Sequence, residues 1–282
     1  MKVLVLGGTR YLGKAIVNKI LQGNFFEIAT LSRSKEKRKG RHFVCDRKNV
    51  EDLKKVLVHF GPNIILDMIN FDEEDSQVIS ELHKHGFLSE LNHYIMVSSF
   101  FVYNHFDYDS FSEKKLTKNF NLSNIEGYTR RKIQSEVKLY SSSLMDISTI
   151  LRLPFVFSSD DYSQRFQHLC ELSSTDNESF FEPSFKYSLV RKADAAEAII
   201  KVFKSSPMGI MDLSNVGHIT SKEILDTLKR LSNQIKRRVN PEIGSFPYFV
   251  EKDICLNSKK MTINISIHDA LKIEAENYWR SK

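Results

Sequence analysis

The glycine-rich turn near the N-terminus constrains the fold of this chain more than any other stretch. Lys2 to Leu6 form a short apolar run, and the residues after the turn are apolar at helical spacing through Leu21. A strand, a glycine-rich turn and a helix in this order bring a helix N-terminus against a phosphate group. Gly7 permits the tight turn, and Gly13 lets the helix lie close to the strand. We therefore expect a phosphate-bearing cofactor to be bound by the turn residues Gly7, Thr9, Arg10, Tyr11, Leu12 and Gly13.

Apolar runs and amphipathic helices alternate beyond this turn, a pattern typical of strands buried on both faces of a parallel sheet. Strands are predicted over 2–6, 26–31, 42–45, 63–70, 94–99, 146–152 and 209–213. Helices are predicted from 12 to a stop at Gly23, from near 49, and over 74–85, 126–142, 165–172, 192–204, 221–231 and 268–279. The sequence predicts an α/β fold with a Rossmann-type doubly wound sheet over 1–153 and a smaller C-terminal α/β lobe over 154–282. The segment at about 190–215 is expected to return to the first domain.

The residues that follow the predicted strands bear on the choice of cofactor. The second strand runs into Arg33 without an Asp or Glu. An acidic residue at that place holds ribose hydroxyls, whereas a guanidinium binds a ribose phosphate bidentately, so the sequence favours NADP, with NAD as the alternative. The other basic residues up to Arg41 are interpreted as a solvated loop. Asp46, after the third strand, either accepts a hydrogen bond from an adenine amino group or serves as a turn residue. Asn70, at the end of the fourth strand, is placed among the cofactor-binding residues.

Composition narrows the class of protein. The 282-residue chain has no apolar run long enough to cross a membrane, and it begins on a core strand instead of a signal peptide. Its three cysteines, Cys45, Cys170 and Cys255, lie far apart, which predicts reduced thiols in a cytoplasmic protein. The net charge of +6 suits a nucleic acid or an anionic cofactor, and we favour the cofactor. The spacing of the nine histidines predicts no metal site.

Three separated motifs together resemble one family. They are Gly7-Gly8-Thr9-Arg10-Tyr11-Leu12-Gly13, Ser98-Ser99-Phe100-Phe101-Val102-Tyr103 and Tyr128-Thr129-Arg130-Arg131-Lys132. Their order and spacing resemble the extended or atypical short-chain dehydrogenase/reductases, the NAD(P)-dependent epimerase/dehydratase family. The resemblance continues weakly through Leu151-Arg152-Leu153-Pro154 and Asp194-Ala195-Ala196 and fades after about Asn215. Two positions depart from the family pattern: Arg10 replaces the middle glycine, as in an atypical subgroup, and Lys192 stands near an expected acidic residue.

The resemblance implies an NAD(P)-dependent oxidoreductase, epimerase or dehydratase that acts on a hydroxyl or carbonyl carbon, in some members of a sugar nucleotide. Tyr128 would be the general acid/base, and Lys132 would lower its pKa from about 10 and hold the nicotinamide ribose. Ser99 would donate a hydrogen bond to the substrate oxygen. Taken alone, Tyr128 and Lys132 also fit an exposed pair on a charged helix, and Ser99 fits a strand-end hydroxyl. The resemblance further implies a small-molecule substrate and a homodimer formed through the helix of Tyr128. Residues 158–186 are expected to form much of the substrate pocket.

A non-catalytic function is the alternative. Similar Gly-Gly-Thr-Arg turns occur in a plastid branch of the superfamily that binds stem-loop RNA, and redox-sensing members also exist. Such regulators tend to lack the catalytic tyrosine, which this chain keeps at position 128. Residues 106–124 are polar and show no clear periodicity, and they are interpreted as a loop or mobile flap.

Overall fold

The computed structural model describes residues 1–35, 40–105, 122–174, 185–235, 248, 250, 252–256 and 261–281. Most of the loop expected at 106–124 lies outside the described residues. So do residues 36–39 of the basic loop and residues 175–184 of the predicted substrate-binding segment.

The elements follow one another closely along the chain. The strands are β1 (Lys2–Leu6), β2 (Glu27–Ser32), β3 (Arg41–Val44), β4 (Ile64–Asp67), β5 (His93–Ser99), β6 (Ser148–Leu153), β7 (Phe155–Phe157), β8 (Lys186–Tyr187), β9 (Leu189–Arg191), β10 (Gly209–Asp212), β11 (Asn215–Val216), β12 (Ile219–Thr220) and β13 (Ile263–Ser266). The helices are α1 (Tyr11–Gly23), α2 (Val50–Phe60), α3 (Glu73–Lys84), α4 (Gly127–Tyr140), α5 (Arg165–Ser173), α6 (Lys192–Ser205), α7 (Ser221–Ile235) and α8 (Ile267–Ser281). Short 3-10 turns cover Phe100–His105 and Ser143–Ile147.

Seven parallel strands form the central sheet, in the order β3-β2-β1-β4-β5-β6-β10. The chain moves outward from β1 to β3, crosses to β4 on the other side and continues outward, which is the doubly wound Rossmann order. The predicted fold class is therefore confirmed. None of the described helices is long and apolar enough to span a membrane.

Alternate residues of the central strands pack against helices on opposite faces of the sheet. Val3 and Val5 of β1 pack in a cluster with residues of α1 and α6, whereas Leu4 and Leu6 pack with residues of α2 and α3. All four side chains are fully buried. Because β1 has helices on both sides, its sequence is continuously apolar and lacks the alternation of a half-exposed strand.

A third core lies beyond the end of the sheet. It joins α5, α7 and α8 to the 3-10 turn after β5, and Trp279 and Phe166 are among its buried side chains. Three two-stranded sheets, β7 with β9, β8 with β12 and β11 with β13, accompany these helices. After β9 the chain returns to the main sheet, since β10 pairs with β6 and α6 packs beside α1.

The end of the first helix differs in detail from the prediction. Gly23 is still helical, and Asn24 takes the left-handed conformation beyond it, with φ of +49°. Asn adopts this conformation more readily than other residues with a Cβ, because its short side chain bonds locally.

Candidate active site

The glycine-rich turn is shaped by contacts that leave no room for a Cβ. Gly7 has φ of +87°, and a Cβ there would lie 2.5 Å from Cγ2 of Ile69. A Cβ on Gly13 would lie 2.9 Å from both the carbonyl oxygen of Gly7 and the Cα of Gly8. Both contacts of Gly13 are with backbone, which cannot rotate away. The turn therefore requires glycine at these positions so that α1 begins directly against it.

The N-terminus of α1 differs from those of the next two helices. Asn49 caps α2 by accepting a hydrogen bond from the backbone N–H of Asp52, and Asp72 caps α3 in the same way through Asp75. Arg10 occupies the cap position of α1 and makes no side-chain cap bond, and the first turn of α1 holds no acidic residue. Such a helix N-terminus, with neither a side-chain cap from Arg10 nor an acidic residue in its first turn, favours an anion.

The other residues predicted in the turn occupy different environments. Thr9 is half-buried, Leu12 is buried in the core and Arg10 is exposed. Tyr11 has φ of +42°, and its hydroxyl donates a hydrogen bond to the carbonyl of Val156 at 3.0 Å. The Tyr11 side chain therefore joins the turn to β7 instead of facing solvent.

Arg33 and Asp46 both lie on the surface just after strands. Arg33 follows β2 directly and is exposed, and no described residue forms a hydrogen bond or ion pair with its side chain. The backbone N–H of Gly7 bonds to the carbonyl of Leu31, so the end of β2 lies beside the glycine-rich turn. Asp46 accepts a hydrogen bond from the backbone N–H of Lys48 at 3.0 Å, which is the geometry of the turn residue.

Ser99 and Tyr128 meet where β5 ends and α4 begins. Ser99 is 7% exposed and its hydroxyl accepts a hydrogen bond from the backbone N–H of Phe101 at 3.3 Å. Tyr128 is 43% exposed. Loss of hydration around its hydroxyl raises the pKa of Tyr128, whereas a hydrogen bond with Ser99 and the charge of Arg131 lower it. The net shift is upward, opposite to the expected effect of Lys132, so the phenol is protonated at neutral pH.

Lys132 lies one turn after Tyr128 on α4 and is almost completely buried, with 3% exposure. Its ammonium donates to the backbone carbonyls of Asn70 at 2.5 Å and Val97 at 2.9 Å, and it lies 5.9 Å from the ring centre of Tyr128. Burial lowers the pKa of Lys132 to about 8, although the carboxylates of Asp67, Glu136 and Asp75 oppose that shift. An ammonium has three N–H donors, so two carbonyls orient it and leave one for a ligand.

The side chain of Asn70 turns away from the sheet edge. Its amide donates to the hydroxyls of Ser76 at 3.0 Å and Tyr94 at 3.1 Å, and its side-chain oxygen accepts from Ser135. Asn70 is fully buried, and its side-chain amide is bonded within the protein. Only its backbone carbonyl contacts a predicted site residue, by accepting the bond from Lys132.

Two buried ionic groups that the sequence did not reveal lie beneath this edge. Arg47 binds both carboxylate oxygens of Asp67, at 2.7 and 2.9 Å. Arg152 binds the carboxylate of Glu136 with two N–H groups, at 3.1 and 2.6 Å. All four side chains are at most 6% exposed. An Arg and an acidic residue 16 or 20 positions apart have no sequence signal that would pair them.

The glycine-rich turn, Ser99, Tyr128 and Lys132 lie along one edge of the sheet, at the point where the strand order reverses between β1 and β4. Ligands of open parallel sheets bind in the crevice at this point. A helix N-terminus that can bind an anion lies on one side of the crevice. On the other side, a protonated phenol, a serine hydroxyl and an oriented ammonium can donate hydrogen bonds and a proton.

The chain is similar in structure to several nucleotide-sugar enzymes. It matches dTDP-glucose 4,6-dehydratase from Bacillus anthracis in complex with NAD with a TM-score of 0.72 and 14% identity, over 100% of this chain and 97% of that one. UDP-glucuronic acid 4-epimerase from Bacillus cereus in complex with NAD matches with a TM-score of 0.71 and 14% identity, over 100% of this chain and 99% of that one. A dTDP-4-dehydrorhamnose reductase from Clostridium acetobutylicum matches with a TM-score of 0.70 and 16% identity, over 98% of this chain and 99% of that one.

These likenesses establish the fold. They span the whole chain, including the C-terminal lobe, and they confirm the fold that the resemblance in sequence implies. No protein-family model matches the sequence, and a search of curated proteins finds no match. The identities of 14 to 16% leave the chemistry of this chain to be argued from its own residues.

Proposed function

We propose that this protein binds NADP and transfers a hydride at a hydroxyl or carbonyl carbon of a small molecule. The proposal rests on the meeting of Ser99, Tyr128 and Lys132 at the crevice edge, across from the glycine-rich turn. Two of the similar structures contain NAD, and the three include a dehydratase, an epimerase and a reductase. All three names describe chemistry at carbon atoms of a nucleotide sugar, which remains one candidate substrate class here.

The residues present fit a dinucleotide. The uncapped N-terminus of α1 would bind the pyrophosphate, because its backbone N–H groups and the helix dipole both favour an anion. Arg33 would bind the phosphate on the adenosine ribose, and Arg10, at the helix cap, would contact that phosphate or the pyrophosphate. The absence of an acidic residue at the end of β2 removes the repulsion that NADP would otherwise meet there.

The catalytic group would act on the oxygen of the reacting carbon. When bound, the nicotinamide ring supplies or accepts the hydride. Tyr128 is a protonated phenol at neutral pH and would donate its proton to a carbonyl oxygen as the alcohol forms. Ser99 would donate a hydrogen bond to the same oxygen and stabilise its developing charge. Lys132 would use its remaining N–H to hold the nicotinamide ribose. Its ammonium would also favour the phenolate that Tyr128 becomes.

The homodimer implied by the resemblance remains a prediction. Helices α3 and α4 pack side by side, and a groove between them is lined by polar and partly buried residues such as Glu81, Gln134 and Val137. We propose that the same two helices form the contact between copies of the chain.

Turnover of a carbonyl compound tests the proposed function. The protein is incubated with NADPH and separate keto compounds: a nucleotide 4-ketosugar, an aliphatic ketone and an aromatic ketone. We expect loss of the reduced nicotinamide absorbance with at least one of them and the matching alcohol as product. Tight NADPH binding without turnover of any compound would favour the non-catalytic regulator.

A further inference from the structure

One face of α4 is bonded to two consecutive residues at the end of β5. Lys132 donates to the carbonyl of Val97 at 2.9 Å, and Glu136 accepts from the hydroxyl of Ser98 at 2.5 Å. Tyr128, Lys132 and Glu136 are spaced by four residues, so they lie on the same face of the helix, one turn apart. The two bonds join successive turns of this helix face to successive residues of the strand end.

Glu136 also bonds to a residue of a second strand. Its second anchor is Arg152 of β6, which binds both carboxylate oxygens and lies directly opposite Ser98 in the pairing of β5 with β6. Arg152 in turn lies 4.7 Å from the ring centre of Tyr103, whose hydroxyl bonds to both carboxylate oxygens of Asp212 on β10 at 2.9 Å. A chain of hydrogen bonds and a cation–π contact thus links α4 to β5, β6 and β10.

Stability alone does not explain the buried ion pair of Glu136 and Arg152. Glu136 and Arg152 are 1% and 0% exposed, and burying two charges costs desolvation that their attraction only partly offsets. Apolar residues of similar volume would hold the helix as firmly. They would not fix its rotation and height, because apolar contacts are not directional, whereas the bidentate pair and the hydroxyl of Ser98 accept one geometry.

We propose that Glu136 and Ser98 are positioning residues that set the height and rotation of α4 against β5. This role rests on the proposed function, because α4 carries Tyr128 and Lys132 and β5 carries Ser99. A displacement of about 1 Å between a catalytic group and its target can cost roughly 100-fold in rate, so such a device lies where accuracy is needed.

The acid–base behaviour of Lys132 provides the readout. In the full chain, Lys132 is titrated by NMR on isotope-labelled lysine side chains, and its signal is identified by its loss in Lys132→Arg. We expect a wild-type pKa of about 8, because burial disfavours the charged ammonium. Glu136→Gln would leave Arg152 without its partner and endanger folding. Ser98→Ala is the chosen variant, because it removes the bond between α4 and the strand end and keeps the buried ion pair.

We expect Ser98→Ala to raise the pKa of Lys132 by about 0.5 unit or more, because a loosened helix face lets water reach the ammonium. Ser98→Thr keeps the hydroxyl and should retain the wild-type value. The matched control is Ser80→Ala, which removes another buried hydroxyl bond, from Ser80 of α3 to Ser142 at 3.2 Å, and should leave Lys132 unchanged.

A pKa of Lys132 in Ser98→Ala that is equal to or below the wild-type value would overturn the proposal. An equal rise in Ser80→Ala would do the same, because the effect would then be a general loosening of the fold. The measurement uses neither cofactor nor substrate. Its failure is therefore distinct from failure of the proposed function, which is decided by turnover.

Discussion

Lys132 carries its charge in a place from which nearly all water has been removed. Burial lowers its pKa from 10.5 to about 8, so the ammonium loses its proton within the range of an ordinary binding experiment. We expect NADPH affinity to fall about tenfold as pH rises through the pKa of Lys132, because the charged donor to the ribose is lost.

The comparison for this pH effect is Lys132→Met, which should bind NADPH more weakly and with a flatter dependence on pH. Fluorescence titrations from about pH 6.5 to about pH 9.5 make the measurement. An affinity of the wild-type protein that does not change over this range would show that Lys132 does not contact the cofactor.

Arg33 is the residue on which the proposed preference for NADP over NAD depends. Its exposed side chain has no ion-pair partner among the described residues, so it is available to a phosphate on the adenosine ribose. Arg33→Ala should weaken NADPH binding by about tenfold or more, since a charge-assisted bond of about 1.5–3 kcal/mol is lost, and should leave NADH binding unchanged. Lys35→Ala, an exposed cation two residues further on, is the control and should have little effect. A wild-type preference for NADH would contradict the assignment of Arg33.

The first helix depends on how closely it approaches the turn before it. In Gly13→Ala the new Cβ would meet backbone atoms at 2.9 Å, so α1 must move away from the glycine-rich turn. We expect a loss of roughly 1–3 kcal/mol in the free energy of unfolding, measured with urea, and weaker NADPH binding. In Gly23→Ala, at the other end of α1, the nearest atoms to the new Cβ belong to the ring of Phe25. This side chain is 62% exposed and can rotate away at the cost of its contact with Lys204, so the change should affect neither quantity strongly.

The longer elements were predictable because one physical signal dominates each of them. Strands such as Lys2–Leu6 have helices on both faces and are continuously apolar, and helices such as Lys192–Ser205 carry a clear apolar stripe. Strands of two or three residues, such as β7 and β8, were not predicted, because alternation needs more residues to be visible. The end of α1 was misplaced by one residue because Gly23 is a common helix stop, yet Asn24 takes that conformation.

Motifs in the sequence predict the candidate catalytic residues, whereas no motif predicts the buried residues that contact them. Glu136 lies on a charged helix and would ordinarily be read as a surface residue, and nothing in the sequence around Arg152 points to a partner on α4. Asn70, the last residue of the predicted fourth strand, is placed among the cofactor-binding residues by the sequence analysis, but its side chain is engaged with Ser76, Tyr94 and Ser135. Long-range polar contacts of this kind depend on tertiary packing, which no local pattern encodes.

At the scale of the whole molecule, the crevice is closed by segments from both halves of the chain. Tyr11 of the glycine-rich turn reaches across to Val156, and its hydroxyl accepts a hydrogen bond from Ser158 at 3.3 Å. Lys192, at the start of α6, lies over the ring of Tyr11 and pairs with Asp160. The glycine-rich turn is therefore joined directly to β7 and to the residues that follow it.

The opposite edge of the sheet makes the stability of the whole molecule sensitive to acid. His93 begins β5 and is 1% exposed; Nε2 bonds to the hydroxyl of Thr149 at 2.7 Å, and no described group bonds to Nδ1. Burial lowers its pKa from 6.5 to about 4. Below pH 6.5 His93 is protonated in the unfolded chain, whereas in the folded chain it stays neutral until the pH reaches about 4. The free energy of unfolding therefore falls as pH drops from 6.5 to about 4, by on the order of 3 kcal/mol in total.

Urea unfolding at a series of pH values measures this loss, and His93→Gln is the comparison because glutamine has no titrating group. The variant should lack the component of the pH dependence that belongs to His93. Identical pH slopes for the two proteins between pH 6.5 and about 4 would contradict the assignment.

Removal of one hydroxyl tests the central claim that Tyr128 is the proton donor. Tyr128→Phe keeps the ring and the helix but cannot donate a proton, so kcat should fall by roughly 100-fold to 10,000-fold while NADPH affinity stays within about twofold. Tyr140→Phe, at the far end of the same helix, should retain both values. The decisive measurement is kcat for these two variants with the same carbonyl substrate. The proposal predicts near-complete loss in Tyr128→Phe alone, and undiminished turnover in that variant would contradict it.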